Sequence, residues 1–234
     1  MFQNYVFSFY DTLAEVKLDL ESQTLWEKLS VYCGIFDYHL EADSLRQKFF
    51  AELAHSQQKN IDTPYYEANY EDILLRLFQA KKLKGKNKTP KDMGRFFHLL
   101  AAEELTLLPQ VKKTLEQLKK QDKNLFLLVN GQKAFVKDEL RYFGIKDYFD
   151  VVYVSSDYSV RKPSVAFFNQ MINENKLEKK KTLFVGADFE TDLLPAKKLG
   201  YFTCLVLKQE KSAQHTEQAD FILENREIKK ILDF

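Results

Sequence analysis

The sequence is poor in the residues that staple, ligate or interrupt a chain. Its 234 residues include two cysteines, four histidines, one tryptophan, seven glycines and five prolines. Cys33 and Cys204 are far apart and form no C-x-x-C pair, which excludes a disulfide framework and fits a reducing compartment. His39, His55, His98 and His215 lack the spacing of zinc ligands and read as ordinary surface or partly buried side chains. No apolar run approaches the roughly 20 residues needed to span a bilayer. The N-terminus has neither the basic region nor the apolar core of a signal peptide, so a cytoplasmic protein without a membrane partner is expected. Neither charge sign dominates: 35 Lys and Arg against 34 Asp and Glu give a formal net charge of +1. No whole-molecule field therefore draws nucleic acid or anionic lipid.

What the chain has is bulk. Apolar residues make up 45 %, with 20 Phe and 12 Tyr, enough for one sizeable core or a core with a smaller insert. "NYVFSF" reads as a short buried strand running into the polar turn "YDTL". From about residue 15 to 100 the period becomes helical. "SLRQKFFAELAHSQ" sets Leu45, Phe49 and Leu53 on one face, and "YEDILLRLFQAKKL" does so with Ile73, Leu74, Leu77 and Phe78. No strand of comparable strength is legible there, so an all-helical insert is expected. The run "KKLKGKNKTPK", residues 81–91, holds six lysines without interleaved aromatics, which reads as a solvated linker and not a nucleic-acid surface.

Beyond residue 100, strand and helix patterns alternate. Helices are expected in "LPQVKKTLEQLKKQ", "KAFVKDELRYFG", "KPSVAFFNQMINEN" and "ETDLLPAKKLG", the last stopped by Gly200, and strands in "NLFLLVNG", "FDVVYVSS" and "KTLFVGAD". "YFTCLVL" and "ADFILE" read as two last strands, and "NREIKKILDF" as a closing helix. Such units make a parallel sheet wrapped by helices, with function at the carboxyl ends of the strands.

Four of those ends carry chemistry: "FSFYDTL", "LLVNG", "RKP" after the third strand, and "FVGADFETD". In this order, with a helical insert after the first, they resemble the haloacid dehalogenase superfamily of phosphohydrolases. The branch they are most similar to carries its helical cap after the first motif. The resemblance runs from Tyr5 through the final "ADFILENREIKKIL". It implies an α/β fold: a Rossmann-like parallel-sheet core from residues 1–14 and 101–234, with an all-helical cap from 15–100. It also implies a cap that chooses the substrate. In that family an aspartate at the first strand end attacks phosphorus, and the residue two further on handles the leaving-group proton. A hydroxyl and a lysine hold the phosphoryl oxygens, and acids at the fourth strand end complete a Mg²⁺ site.

Carried over residue by residue, the motif is eroded. Ser8 stands at the nucleophile position, Tyr10 at the acid/base position, and Asp11 and Thr12 fit the turn. Val129 occupies the hydroxyl position before Asn130 and Gly131, while Lys162, followed by Pro163, matches the family lysine. Ala187 replaces one magnesium acid and Asp192 keeps the other; a shorter D-x-x-x-D spacing would use Asp188 and Asp192 instead. More ordinary roles for Asp192 are capping the following helix or pairing with Lys162. Loss of one electrostatic stabiliser commonly costs a factor on the order of 10² to 10³. The expectation is a haloacid dehalogenase-like fold without aspartate-based phosphatase activity, one that binds a phosphorylated small molecule, another anion or a protein partner. Mg²⁺, usual for the family, is in doubt at this site. The alternative is a weak or atypical Mg²⁺-dependent phosphohydrolase of a small phosphate ester, with Ser8 or a water attacking.

Overall fold

The computed structural model describes residues 1–35, 38–79, 90–208 and 218–234. In chain order the first half comprises β1 (Asn4–Phe7), β2 (Ala14–Leu18), α1 (Gln23–Gly34), α2 (Ala42–Lys59), α3 (Tyr70–Gln79), α4 (Pro90–Ala101) and β3 (Ala102–Leu107). There follow α5 (Val111–Lys120), β4 (Asn124–Val129), α6 (Lys133–Tyr142), β5 (Val151–Val154), α7 (Ser155–Tyr158) and α8 (Val165–Glu174). The chain closes with β6 (Thr182–Gly186), α9 (Leu194–Lys198), β7 (Phe202–Val206) and β8 (Phe221–Leu223).

Six strands form one parallel sheet in the order β5-β4-β1-β6-β7-β8. The short aromatic run of β1 lies at its centre because both of its faces are buried. Tyr5 and Phe7 enter the hydrophobic layer under α5 and α6, while Val6 enters the layer under α8 and α9. Each buried Phe or Val of this kind contributes about 1.5–3 kcal/mol. In register, Val6 sits between Phe126 and Phe184. The chain turns one way from β1 to β4 and β5, then returns to β6 on β1's other side. That reversal opens a crevice at the carboxyl ends of β1, β4 and β6.

Three expectations need correction. The insert is not helical from residue 15: β2 pairs antiparallel with β3 in a two-stranded ribbon at the insert's foot. Its alternation spans only five residues, AEVKL, rich in helix formers, so the period of two had no weight against the helical pattern beyond. The expected helix in "ETDLLPAKKLG" is a π-helical turn, Phe189–Leu193, before α9, which has Pro195 at its start. Proline lacks the N–H that would continue an unbroken helix from upstream. The closing "NREIKKILDF" forms 3₁₀ turns, Glu224–Arg226 and Ile228–Asp233. The lysine run lies outside the described residues except for its last two, which open α4.

Between β2 and β3 the described elements are helices. Leu45 and Phe49 of α2 meet Ile73 and Leu74 of α3, Trp26 of α1 and Phe97 of α4. This cluster also takes in Ala134 and Phe135 of α6, a helix that flanks the sheet. The insert is also tied by hydrogen bonds to the loops beside the crevice. The segment before α3 makes an antiparallel bridge, Tyr66 with Val160, and Arg161 N donates to Tyr65 O at 2.9 Å. Buried Gln132 donates to Ala68 O at 2.9 Å and accepts from Tyr70 N at 2.8 Å. Among the described residues no helix is long and apolar enough to cross a membrane.

Candidate functional site

A cleft of about 580 Å³ opens at these strand ends. Of the residues singled out in the sequence, Ser8, Tyr10, Asp11, Asn130, Lys162, Ala187, Asp188 and Asp192 line it. Thr12, Val129 and Gly131 are not in its lining. Val129 is core, and Thr12 is fully buried with its hydroxyl oxygen lacking a partner.

Lys162 organises the floor. Although it follows a loop, it is only 4 % exposed. The side chain of Asn130 locks that loop, accepting from Lys162 N at 2.8 Å and donating to Lys162 O at 3.1 Å. The Lys162 ammonium donates to Ser8 Oγ at 2.9 Å and to Asp192 Oδ1 at 2.5 Å. Asp192 therefore takes the second of its ordinary roles, pairing with Lys162. Its other oxygen accepts from the N–H groups of Ala187 and Asp188, both at 3.2 Å. The π-helical turn brings Asp192 back over the end of β6. The approach is so close that a Cβ on Gly186 would lie 2.4 Å from that of Asp192, so only glycine fits. Asp188 caps the turn, accepting from Thr191 N at 2.8 Å.

Asn130 and Gly131 are committed to structure. The Asn130 amide holds the lysine loop, and Gly131 N donates to Ser155 Oγ at 2.8 Å. Tyr10 is turned away from Ser8: its hydroxyl donates to Glu139 Oε2 at 2.9 Å. Burial first, and then the Glu139 charge, hold the Tyr10 hydroxyl well above the ordinary tyrosine range. Glu139 is fully buried on α6, and its second oxygen lies 2.8 Å from Nε2 of His98 on α4. The His98 ring stacks on Phe135 with centroids 4.2 Å apart.

This Tyr10–Glu139–His98 chain was not legible in the sequence, since its members lie in three separate elements without a shared motif. Neither was Arg226, which reaches the cleft from the turn after β8. Its guanidinium donates to Glu15 Oε1 at 2.5 Å and lies 3.4 Å from Asp11 Oδ1. Lys208 donates to the same Glu15 oxygen at 3.0 Å.

Magnesium in such a site needs converging oxygen ligands. Both Asp192 oxygens are occupied by protein donors, and Asp188 serves its own turn. Among the described residues no three His, Cys, Asp or Glu gather to hold a metal ion. Ala187 supplies no side-chain oxygen at its motif position, which leaves Asp188, with one oxygen bonded to Thr191 N, and Asp192, paired with Lys162, as the carboxylates at this corner.

Comparison with known proteins agrees with this architecture. Residues 42–206 match the family model of haloacid dehalogenase-like hydrolases, and the chain belongs to that family. The matched span begins after the Ser8 loop. A glyceraldehyde 3-phosphate phosphatase of Methanocaldococcus jannaschii is 29 % identical over 54 % of this chain and 56 % of its own. The chain thus spans little more than half of that relative. A ribulose-1,5-bisphosphate 5-phosphatase of Halopiger xanaduensis is 27 % identical over 79 % of this chain and 78 % of its own. A phosphoglycolate phosphatase of Vibrio vulnificus is 34 % identical over 40 % and 41 %. Among solved structures, the 2-haloacid dehalogenase of Pseudomonas syringae pv. Tomato DC3000 superposes with a TM-score of 0.67 at 18 % identity, covering 100 % of this chain and 97 % of that one. A haloacid dehalogenase-type phosphatase of Thermococcus onnurineus gives 0.60 at 21 % identity, covering 98 % and 97 %. At such identities the structures speak for the fold.

Proposed function

We propose that this member of the haloacid dehalogenase-like hydrolases binds a small phosphorylated molecule in the strand-end cleft without cleaving it through an aspartyl-phosphate. The observation that carries this reading is the placement of Lys162 between Ser8 and Asp192. An ammonium has donors and no acceptor, so it holds the Ser8 oxygen without taking its proton. An alcohol with no base beside it is a poor nucleophile toward phosphorus. Ser8 stands at the nucleophile position, Tyr10 at the acid/base position, and Lys162 remains as the phosphoryl-binding cation. Tyr10 directs its hydroxyl hydrogen bond to Glu139, away from any leaving group. With Ala187 in place of an acid, no step is assigned to a metal.

A second reading has its own support. The three curated relatives above are all phosphatases by name, which favours a phosphohydrolase acting on a small phosphate ester by another nucleophile. One assay decides between the two. Phosphate release is measured from p-nitrophenyl phosphate and a panel of sugar and nucleotide phosphates, with Mg²⁺ and with EDTA. Wild type is run beside Lys162→Ala and Ser8→Asp. The first reading expects no wild-type release above buffer. Turnover that needs Mg²⁺ and Lys162 would sink it and establish the second.

A further inference from the structure

The cleft has a second charged end, and its make-up differs from the Lys162 floor. Among the described residues, none between 19 and 101 lines the cleft. The helical insert, which the family resemblance would make the chooser of substrate, leaves this wall to β7 and to the turns after β7 and β8. On that wall two cations converge on a single carboxylate oxygen: Arg226 and Lys208 both donate to Glu15 Oε1. One carboxylate cannot neutralise both. The other acid within reach, Asp11, is largely exposed and only 3.4 Å from the guanidinium, beyond strong hydrogen bonding. The hydrogen bonds from Arg226 and Lys208 hold the Glu15 carboxyl below the usual carboxylate range, as expected when cations crowd one acid.

The backbone supports the same placement. Asn225 and Arg226 are consecutive non-glycine residues in the left-handed region, at φ 52° and 55°. Such conformations cost free energy and persist where surrounding contacts hold them. Here Arg226 N donates to Leu207 O at 2.8 Å, and the guanidinium reaches across to the loop after β1. Asp188 and Glu190 also line the cleft, so an anion is favoured at the cation pair and not along the whole wall.

We infer that Arg226, assisted by Lys208, is a second anchoring point of the cleft, and that the ligand is a small molecule with a phosphoryl group at one end and a second anionic group at the other. This rests on the reading that the cleft holds a phosphorylated small molecule. The second group, a carboxylate or a phosphate, displaces Glu15 from the cation pair, and Arg226 offers it the planar fork that matches either.

The test is calorimetric titration of the whole protein in EDTA with three probes: inorganic phosphate, glycerol 3-phosphate and 3-phosphoglycerate. The last two differ in the carboxylate alone. Wild type should bind 3-phosphoglycerate about tenfold more tightly than glycerol 3-phosphate, the usual worth of a charge-assisted contact. Arg226→Gln should abolish that preference. Glu15→Gln, which removes the internal competitor, should tighten 3-phosphoglycerate about threefold or more. The Glu15→Gln arm stands independently if Arg226→Gln melts early. Equal wild-type affinity for the two esters, with phosphate still bound, overturns the inference and spares the proposed function. A preference that survives Arg226→Gln overturns it too. No binding of any probe, phosphate included, removes both.

Discussion

Two buried polar clusters meet at Tyr10, one on either side of the loop after β1, and they are finished differently. On the seam between insert and sheet, Glu139 serves Tyr10 and His98, Gln132 serves Ala68 and Tyr70, and Ser155 donates to Glu67 at 3.0 Å. These bonds join segments more than 40 residues apart and hold the insert against α6. In the cleft, Lys162, Ser8 and Asp192 are equally close, yet they face an open volume. Buried polar groups are costly unless satisfied, and a satisfied network fixes one geometry. The seam shows that outcome complete. The cleft is held in place by the same means, with its Lys162–Asp192 pair beside open space.

The largest effect should come from unbalancing the cleft. Asp192→Ala strands a buried ammonium and is expected to cost about 3–5 kcal/mol in urea denaturation. Lys162→Met with Asp192→Leu, which removes both charges, should cost less than the single change. If it costs more, the cleft is not ordered by this pair. Next, Glu139→Ala leaves a tyrosine hydroxyl and a histidine short of an acceptor, an expected loss of about 2–4 kcal/mol. A loss below that of an ordinary surface substitution would dissolve the contrast between the two clusters. Gly186→Ala forces Asp192 aside, with an expected cost of about 1–3 kcal/mol by overpacking.

The smallest effect is a change in pH profile. Burial pushes the Glu67 carboxyl above the usual glutamate value, against the opposing pull of the Ser155 hydroxyl and Arg161. Its folded form therefore holds the proton more tightly than the unfolded chain. Its contribution to stability is full below the ordinary glutamate value, falls as pH rises through the raised one, and then levels. Melting temperature followed from about pH 4 to 8 should show that decline in wild type and a flatter line in Glu67→Gln. Parallel lines would place Glu67 in water.

The order of strands and helices in the second half was legible because each element has a strong period and a turn at its end. β1, β4 and β6 are runs too apolar and too short for anything but central strands. The ribbon of β2 and β3 was not legible, since five alternating residues of good helix formers look like the start of the helices beside them. In the cleft, the residues at motif positions could be placed in order along the chain, and most of them line it. The pairing of Asp192 with Lys162 was among the roles the sequence offered. What Asn130 and Tyr10 bond to could not be read, because partners far away in sequence, the lysine loop and α6, reached them first. Arg226 and Glu139 carry no local signal at all. Only the closure of the sheet brings them in.

The bridge between Tyr66 and Val160 has a kinetic corollary. The amide of Arg161 is bonded to Tyr65 across the boundary of the insert, one residue before the lysine that floors the cleft. Its hydrogen can exchange with solvent only when that boundary parts. The exchange rate of this one amide is therefore a clock for separation of insert from sheet, and a ligand that holds the two together should slow it.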